Sequence, residues 1–85
     1  TIDMLPYIKV EANEKINLTI NNEMMILNVE EYIELDCELL IAHKSYESAD
    51  DKVKGNFFKL IPGLNRIDIL GNYTKLEIIY RKAYL

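Results

Sequence analysis

The stretch KINLTI, residues 15–20, alternates without a break: Ile16, Leu18 and Ile20 fall on one side, Lys15, Asn17 and Thr19 on the other. That two-residue period belongs to a strand with one face buried and one in water. Asn21-Asn22 follows as a two-residue turn signal, because Asn tolerates the positive φ angles of tight hairpins, and EMMILNV (23–29) supplies an antiparallel partner strand. Upstream, MLPYIKV (4–10) is extended, with a strand expected over 7–10. Pro6 offers no amide to a ladder, which restricts the segment to a strand start or a sheet edge.

EYIELDC sets Tyr32, Glu34 and Asp36 opposite Ile33 and Leu35, and ELLIAHK runs on almost without interruption. Two arrangements suit a sheet: one long bent strand, or two strands around a tight turn near Asp36-Cys37. A helix over 29–43 competes, because Leu35, Leu39 and Ala42 are helically spaced and Glu and Leu favour helices. SYESADDKVKGN (45–56) is short of large apolar residues and predicts a solvated loop.

GNFFKLIPGLNRIDILG (55–71) then presents two apolar runs separated by Pro-Gly-Leu-Asn, which predicts a hairpin. Pro62 presets φ for the second turn residue and Gly63 supplies the positive φ of the third, so 61–64 fits a type II turn with Asn65 tied back to its backbone. Ile67 and Ile69 are expected to face the core, Arg66 and Asp68 the water. After a turn at Gly71-Asn72, TKLEIIYRKAYL closes the chain, with Leu76, Ile78 and Tyr80 alternating with Glu77, Ile79 and Arg81. Six to eight short strands joined by short turns predict an all-β fold, an antiparallel β-sandwich of galectin-like or jelly-roll type.

Composition strengthens the β reading. Twelve Ile, six Tyr, three Val and two Phe stand against four Ala, the reverse of what helix propensity selects. At 85 residues the chain has room for one core, so a single domain over 1–85 is expected, one of marginal stability for which association with another chain matters. A start at Thr1 rather than Met suggests a piece excised from a longer protein. Fourteen acidic and ten basic side chains give a net charge of −4, and the basic residues are scattered singly. A nucleic-acid partner is not expected, since phosphate binding needs concentrated positive charge. No apolar run approaches the roughly 20 residues of a bilayer span, so no membrane partner is expected either. The lone Cys37 rules out an internal disulfide and suggests a reducing compartment.

Candidate chemistry is thin. His43, the single histidine, could in principle join Ser45 or Ser48 and Asp36, Asp50 or Asp51 as a hydrolytic triad, but neither serine sits on a glycine-flanked elbow. Cys37 could act as a nucleophile if His43 lowered its pKa, although a buried cysteine is the commoner case. Glu47, Asp50 and Asp51 form an acidic loop without EF-hand spacing. Glu34, Asp36 and Glu38 alternate like an ordinary wet face rather than a glycosidase pair. Two sequons, at Asn17 and Asn72, lack a secretory context. No catalytic residues, metal ligands or cofactors are expected. Tyr46, Tyr73 and Tyr84 fall in a loop, a turn and a terminus, so these are the candidate contact residues; Tyr7, Tyr32 and Tyr80 are assigned to packing.

The carboxyl-terminal half, GNFFKLIPGLNRIDILGNYTKLEIIYRKAYL, resembles the end of the distal tail proteins of long-tailed bacteriophages and related prophage and siphovirus-type tail components. The matching residues are Gly55, Phe58, Leu60, Pro62, Gly63, Asn65, Ile67, Gly71, Ile78, Arg81, Tyr84 and Leu85. PYIKV at 6–10 resembles the opening strand of the family and YIELDCE at 32–38 its hydrophobic-Asp-x-Glu segment. Lys59 departs from a common proline, and Glu11-Ala12-Asn13 from a common glycine. The resemblance implies a non-catalytic structural component of a phage or prophage tail tip or baseplate, assembled in the host cytoplasm and carried in the virion. In that family an amino-terminal region forms a ring, usually hexameric, and the sandwich on its outside supports receptor-binding or neighbouring tail proteins. This chain then resembles the sandwich without its ring-forming half, monomeric or weakly associating alone, with Pro62, Gly63, Asn65 and Gly71 as structural turn residues. The alternative is a carbohydrate-binding β-sandwich module, with exposed tyrosines stacking on sugar.

Overall fold

The structure, a computed structural model, describes residues 4–81. Nine strands run in chain order: β1 Leu5–Ala12, β2 Lys15–Ile20, β3 Glu23–Asn28, β4 Glu31–Asp36, β5 Ile41–Lys44, β6 Glu47–Ser48, β7 Val53–Gly55, β8 Ile67–Leu70 and β9 Tyr73–Arg81, with one 3₁₀ turn at Asp50–Lys52. They form two antiparallel sheets, a five-stranded one in the order β6-β5-β4-β1-β9 and a four-stranded one in the order β7-β3-β2-β8. The fold is an all-β antiparallel sandwich.

The core follows from the alternation. Ile8 and Val10 of β1 and Ile33 and Leu35 of β4 point inward from one sheet, Ile16, Leu18 and Ile20 of β2 and Met25 and Leu27 of β3 from the other, and all are buried. Each such side chain contributes about 1.5–3 kcal/mol over leaving it in water. The Asn21-Asn22 turn joins β2 to β3 in register, Ile20 opposite Glu23, with Asn21 at φ +57°.

Pro6 lies near the start of β1, yet β1 is an interior strand, flanked by β4 and β9. The missing amide is tolerated because β4 pairing begins only at Tyr7, opposite Asp36, while the Pro6 carbonyl accepts the Cys37 amide at 3.1 Å. Residues 31–44 resolve into two strands around a tight turn, with no helix. Asp36 sets that turn, its Oδ1 accepting the amides of Glu38 and Leu39 at 3.1 Å each. A side chain that caps a turn this way offers the backbone an alternative to the helical ladder.

Two expectations are corrected. The stretch 45–56 is not simply a solvated loop: it contains β6, the 3₁₀ turn and β7, and is anchored by the Ala49 amide on the Ala42 carbonyl (2.9 Å) and the Ala42 amide on Asp50 Oδ1 (2.7 Å). Ala49, small enough to fit beneath the sheet edge, is buried. Residues 55–71 do not form a hairpin. β7 pairs with β3 and β8 with β2, so the two segments occupy opposite edges of one sheet and 56–66 crosses the end of the sandwich between them. The physical reason is that β2 and β3 each have a free edge to offer, and pairing there lets Phe58 and Leu60 turn inward and close the core.

Within that crossing the turn chemistry is as expected. Gly63 has φ +91°, as the third residue of a type II turn requires. Asn65 Nδ2 donates to the Ile61 carbonyl (2.9 Å) and its Oδ1 accepts the Ile61 amide (2.8 Å). The same side chain accepts from Asn21 Nδ2 at 3.0 Å, and the Arg66 amide donates to Asn21 Oδ1, also at 3.0 Å, locking the crossing to the β2–β3 turn. Leu60 exchanges amide and carbonyl with Met4 at 2.8 and 3.0 Å, tying the crossing to the five-stranded sheet as well. Ile69 is half-buried on the core side, but Ile67 is 42% exposed, because β8 is a four-residue edge strand whose first residue has no neighbour on one side.

Candidate functional site

The polar side chains that come together lie on the outer face of the five-stranded sheet. Alternation turns Tyr7 and Lys9 of β1, Tyr32, Glu34 and Asp36 of β4 and His43 of β5 away from the core. The register sets Lys9 and His43 on either side of Glu34, which brings Tyr7, Glu34 and His43 into one cluster across three adjacent strands. The Tyr7 hydroxyl donates to Glu34 Oε2 at 2.8 Å and lies 2.9 Å from His43 Nε2. His43 Nδ1 is 3.2 Å from the same carboxylate oxygen and 3.0 Å from the Ser45 carbonyl. Beside them Lys9 sits over the Tyr32 ring at 4.8 Å and Lys44 at 5.5 Å, both cation–π distances.

Burial pushes the Tyr7 hydroxyl up to about 12, with the Glu34 hydrogen bond and the charges of Glu34 and Asp36 acting in the same direction. A phenol held protonated in this way is a hydrogen-bond donor and a poor nucleophile. Its effect on folding has a definite sign. An unfolded chain ionises tyrosine near 10, so the contribution of Tyr7 is fully present below that pH and is lost as the pH rises toward 12. Tyr7→Phe is therefore expected to flatten the loss of stability between pH 10 and 12, measured by urea denaturation across that range; a variant with the wild-type slope contradicts the assignment.

The triad candidates are not assembled. His43 meets the backbone of Ser45 and not its hydroxyl, while Ser48 Oγ is 3.4 Å from Asp50 Oδ2. Asp36 and Asp50 are committed to backbone amides. Cys37 is buried on the core side, away from the outward-facing His43. Its thiol is pushed up by burial and by Asp36, against an opposing contribution from the Phe58 amide. Of the three carboxylates on β4, Glu31 lies 3.3 Å from Lys44 Nζ, Glu34 is held by Tyr7 and His43, and Asp36 by the turn. Among the described residues no three His, Cys, Asp or Glu side chains stand close enough to hold a metal ion.

Of the contact candidates, Tyr46 is fully exposed in the β5–β6 turn, beside a shallow hollow lined by Ile41, His43, Ser48 and Asp50. Tyr73 is partly exposed at the start of β9. The two stand at opposite edges of the five-stranded sheet, on the order of 15–20 Å apart at ~4.8 Å per strand, and form no common platform. Tyr84 lies outside the described residues. Gly71 has φ +122° and a Cβ there would come within 2.6 Å of Ile16 Cδ1, so its turn role has a steric basis.

The chain matches no family model, no curated protein and no solved structure. What the site can do must therefore be read from its own geometry.

Tyr7, Glu34 and His43 meet at one carboxylate oxygen, Glu34 Oε2, and join β1, β4 and β5 on the outside as the core joins them on the inside. The hollow beside them is the shallow one at the β5–β6 turn, which His43 lines. Sequence reasoning placed Tyr7 in packing and Glu34 on a wet face and did not connect them to His43, because only the order β5-β4-β1 makes them neighbours. Outward parity on three separate strands was the one available signal, and it is shared by every other residue of that face.

Proposed function

We propose that the chain is a non-catalytic interaction module of a phage or prophage tail tip, the carboxyl-terminal sandwich of a distal tail protein, on which receptor-binding or neighbouring tail proteins dock. The observation that carries this reading is the crossing at 56–66, where the residues of the resemblance have structural work. Phe58 and Leu60 close the core, Pro62, Gly63 and Asn65 shape and clamp the loop, and Leu60 ties it to the opposite sheet. A braced end of this kind presents Leu39, Leu40, Ile61 and Leu64 to solvent on short, tied loops, and exposed apolar side chains on rigid supports favour protein docking. Tyr46 alone favours the alternative, a carbohydrate-binding module, and one isolated ring is a meagre stacking surface.

The test is the assembly state of the polypeptide encoded by the whole reading frame, measured by light scattering after size-exclusion chromatography. A closed ring in which this domain is an outer appendage is expected. A full-length product that stays monomeric overturns the reading.

A further inference from the structure

Among the described residues the longest strand is an edge: β9 spans nine residues and pairs there with β1 alone, leaving the other side of its ladder open. Long open edges are usually blunted by a lone charge or a proline that repels a second strand. Toward the middle of β9 the outward residues Lys75 and Glu77 have opposite sign, and their Nζ and Oε1 lie 3.0 Å apart. Across β1 the sheet already matches charges by register, Lys9 opposite Glu77 and Glu11 opposite Lys75. The bulge in this ladder falls opposite Glu11 and Ala12, where Thr74 of β9 is the extra residue, and leaves 75–79 regular.

The core is also less well covered along this flank than elsewhere. Leu76 and Ile78 of β9 and Ile69 of β8 lie on the core side yet are only half-buried, and Ile67 and Leu70 beside them are exposed. The inward residues of β1 and β4, in the middle of the same sheet, are completely or almost completely covered.

We propose that β9 is a dimerisation edge and that its occupant is β9 of a second copy of this chain, paired antiparallel about a two-fold axis through Leu76. In that register each Lys75 faces Glu77 of the other copy. The charge row of the outer face then continues unbroken across the axis: Lys9, Glu77, then Lys75 and Glu11 of the second copy. Centring the axis on Lys75 or on Glu77 instead sets like charges opposite each other, which is destabilising in a ladder. On the core side the axis brings Leu76 against its own counterpart, covering part of the open flank and converting two five-stranded sheets into one of ten. An interface of one strand pair is small, and its affinity is expected in the range of about 10–100 μM.

The experiment is sedimentation equilibrium of the chain at loading concentrations up to about 300 μM, several-fold above that range, with two variants. Lys75→Glu and Glu77→Lys each set like charges across the axis and also opposite Glu11 or Lys9 on β1, but both side chains are exposed, 58% and 40% accessible, and the surface cost leaves the fold intact. The wild type is expected to reach a dimer mass, each variant alone to remain monomeric with an unchanged circular dichroism spectrum, and an equimolar mixture of the two to recover the dimer, because the mixed pair restores Lys opposite Glu at both sites. A wild type monomeric throughout, variants that dimerise alone as the wild type does, or a mixture that stays monomeric each overturn the proposal.

Discussion

Replacing Phe58 with alanine is expected to lower the free energy of unfolding by about 3–5 kcal/mol, the cost of emptying a large buried aromatic site. Phe58 is 1% exposed and is the bulkiest of the fully buried side chains. It enters the core from the crossing at 56–66 and not from a strand, so the cavity would open at the end of the sandwich, where only a loop can collapse into it. The loop is poorly placed to do so, since Asn65 and the Met4–Leu60 bridge hold it at both ends. A chain of this length has roughly 5–10 kcal/mol of total stability, so the loss is about half of it. The melting temperature should fall by about 15–30 °C. Leu64→Ala, four residues beyond Leu60 in the same crossing but 96% exposed, is expected to stay within about 0.5 kcal/mol of wild type. Urea denaturation followed by circular dichroism separates the two. A Phe58→Ala variant that loses less than about 1 kcal/mol would show that the crossing does not close the core.

The second large effect concerns two glycines with the same kind of backbone and different surroundings. Gly55 ends β7 at φ +124°, and a Cβ there would collide with the Met24 carbonyl oxygen and come within 3.0 Å of Met25 Cα, both backbone atoms of the neighbouring strand. Gly63 has φ +91°, and a Cβ there meets nothing within 4 Å. Valine at Gly63 carries conformational strain alone, about 1–2 kcal/mol. At Gly55 it adds a steric conflict that can be relieved only by separating β7 from β3, and a loss of at least about 3 kcal/mol is expected. Equal losses at the two positions, read from denaturant midpoints, would mean that the β3–β7 contact is not close. The Pro-Gly turn, the more conspicuous feature of the sequence, is thus the more tolerant of the two glycine sites, because it projects into solvent.

The sequence was most legible where structure is local. KINLTI, the Asn21-Asn22 turn and EMMILN are written in two-residue alternation and turn chemistry, and both survive unchanged in β2 and β3. The Pro62-Gly63 turn and the Asn65 tie-back are local in the same sense. What could not be read is which strand lies beside which. The hairpin expected over 55–71 failed because strand pairing is decided by available edges, and β2 and β3 offered better ones. The Tyr7–Glu34–His43 cluster was hidden for the same reason: its members are 27 and 36 residues apart along the chain and meet through sheet order. Tyr46 was visible as a contact candidate because its Ser and Glu neighbours gave it no apolar face to join.

One consequence of the β1–β9 pairing concerns how the domain bears load. Leu5 stands opposite Arg81, so the opening segment of β1 and the closing segment of β9 lie side by side at one end of the sandwich. Tension applied across those two segments would not slide β9 along β1. It would peel the strands apart one residue pair at a time, starting at Leu5 and Arg81, so the sandwich is mechanically softest where β1 begins and β9 ends and firmest at the far end.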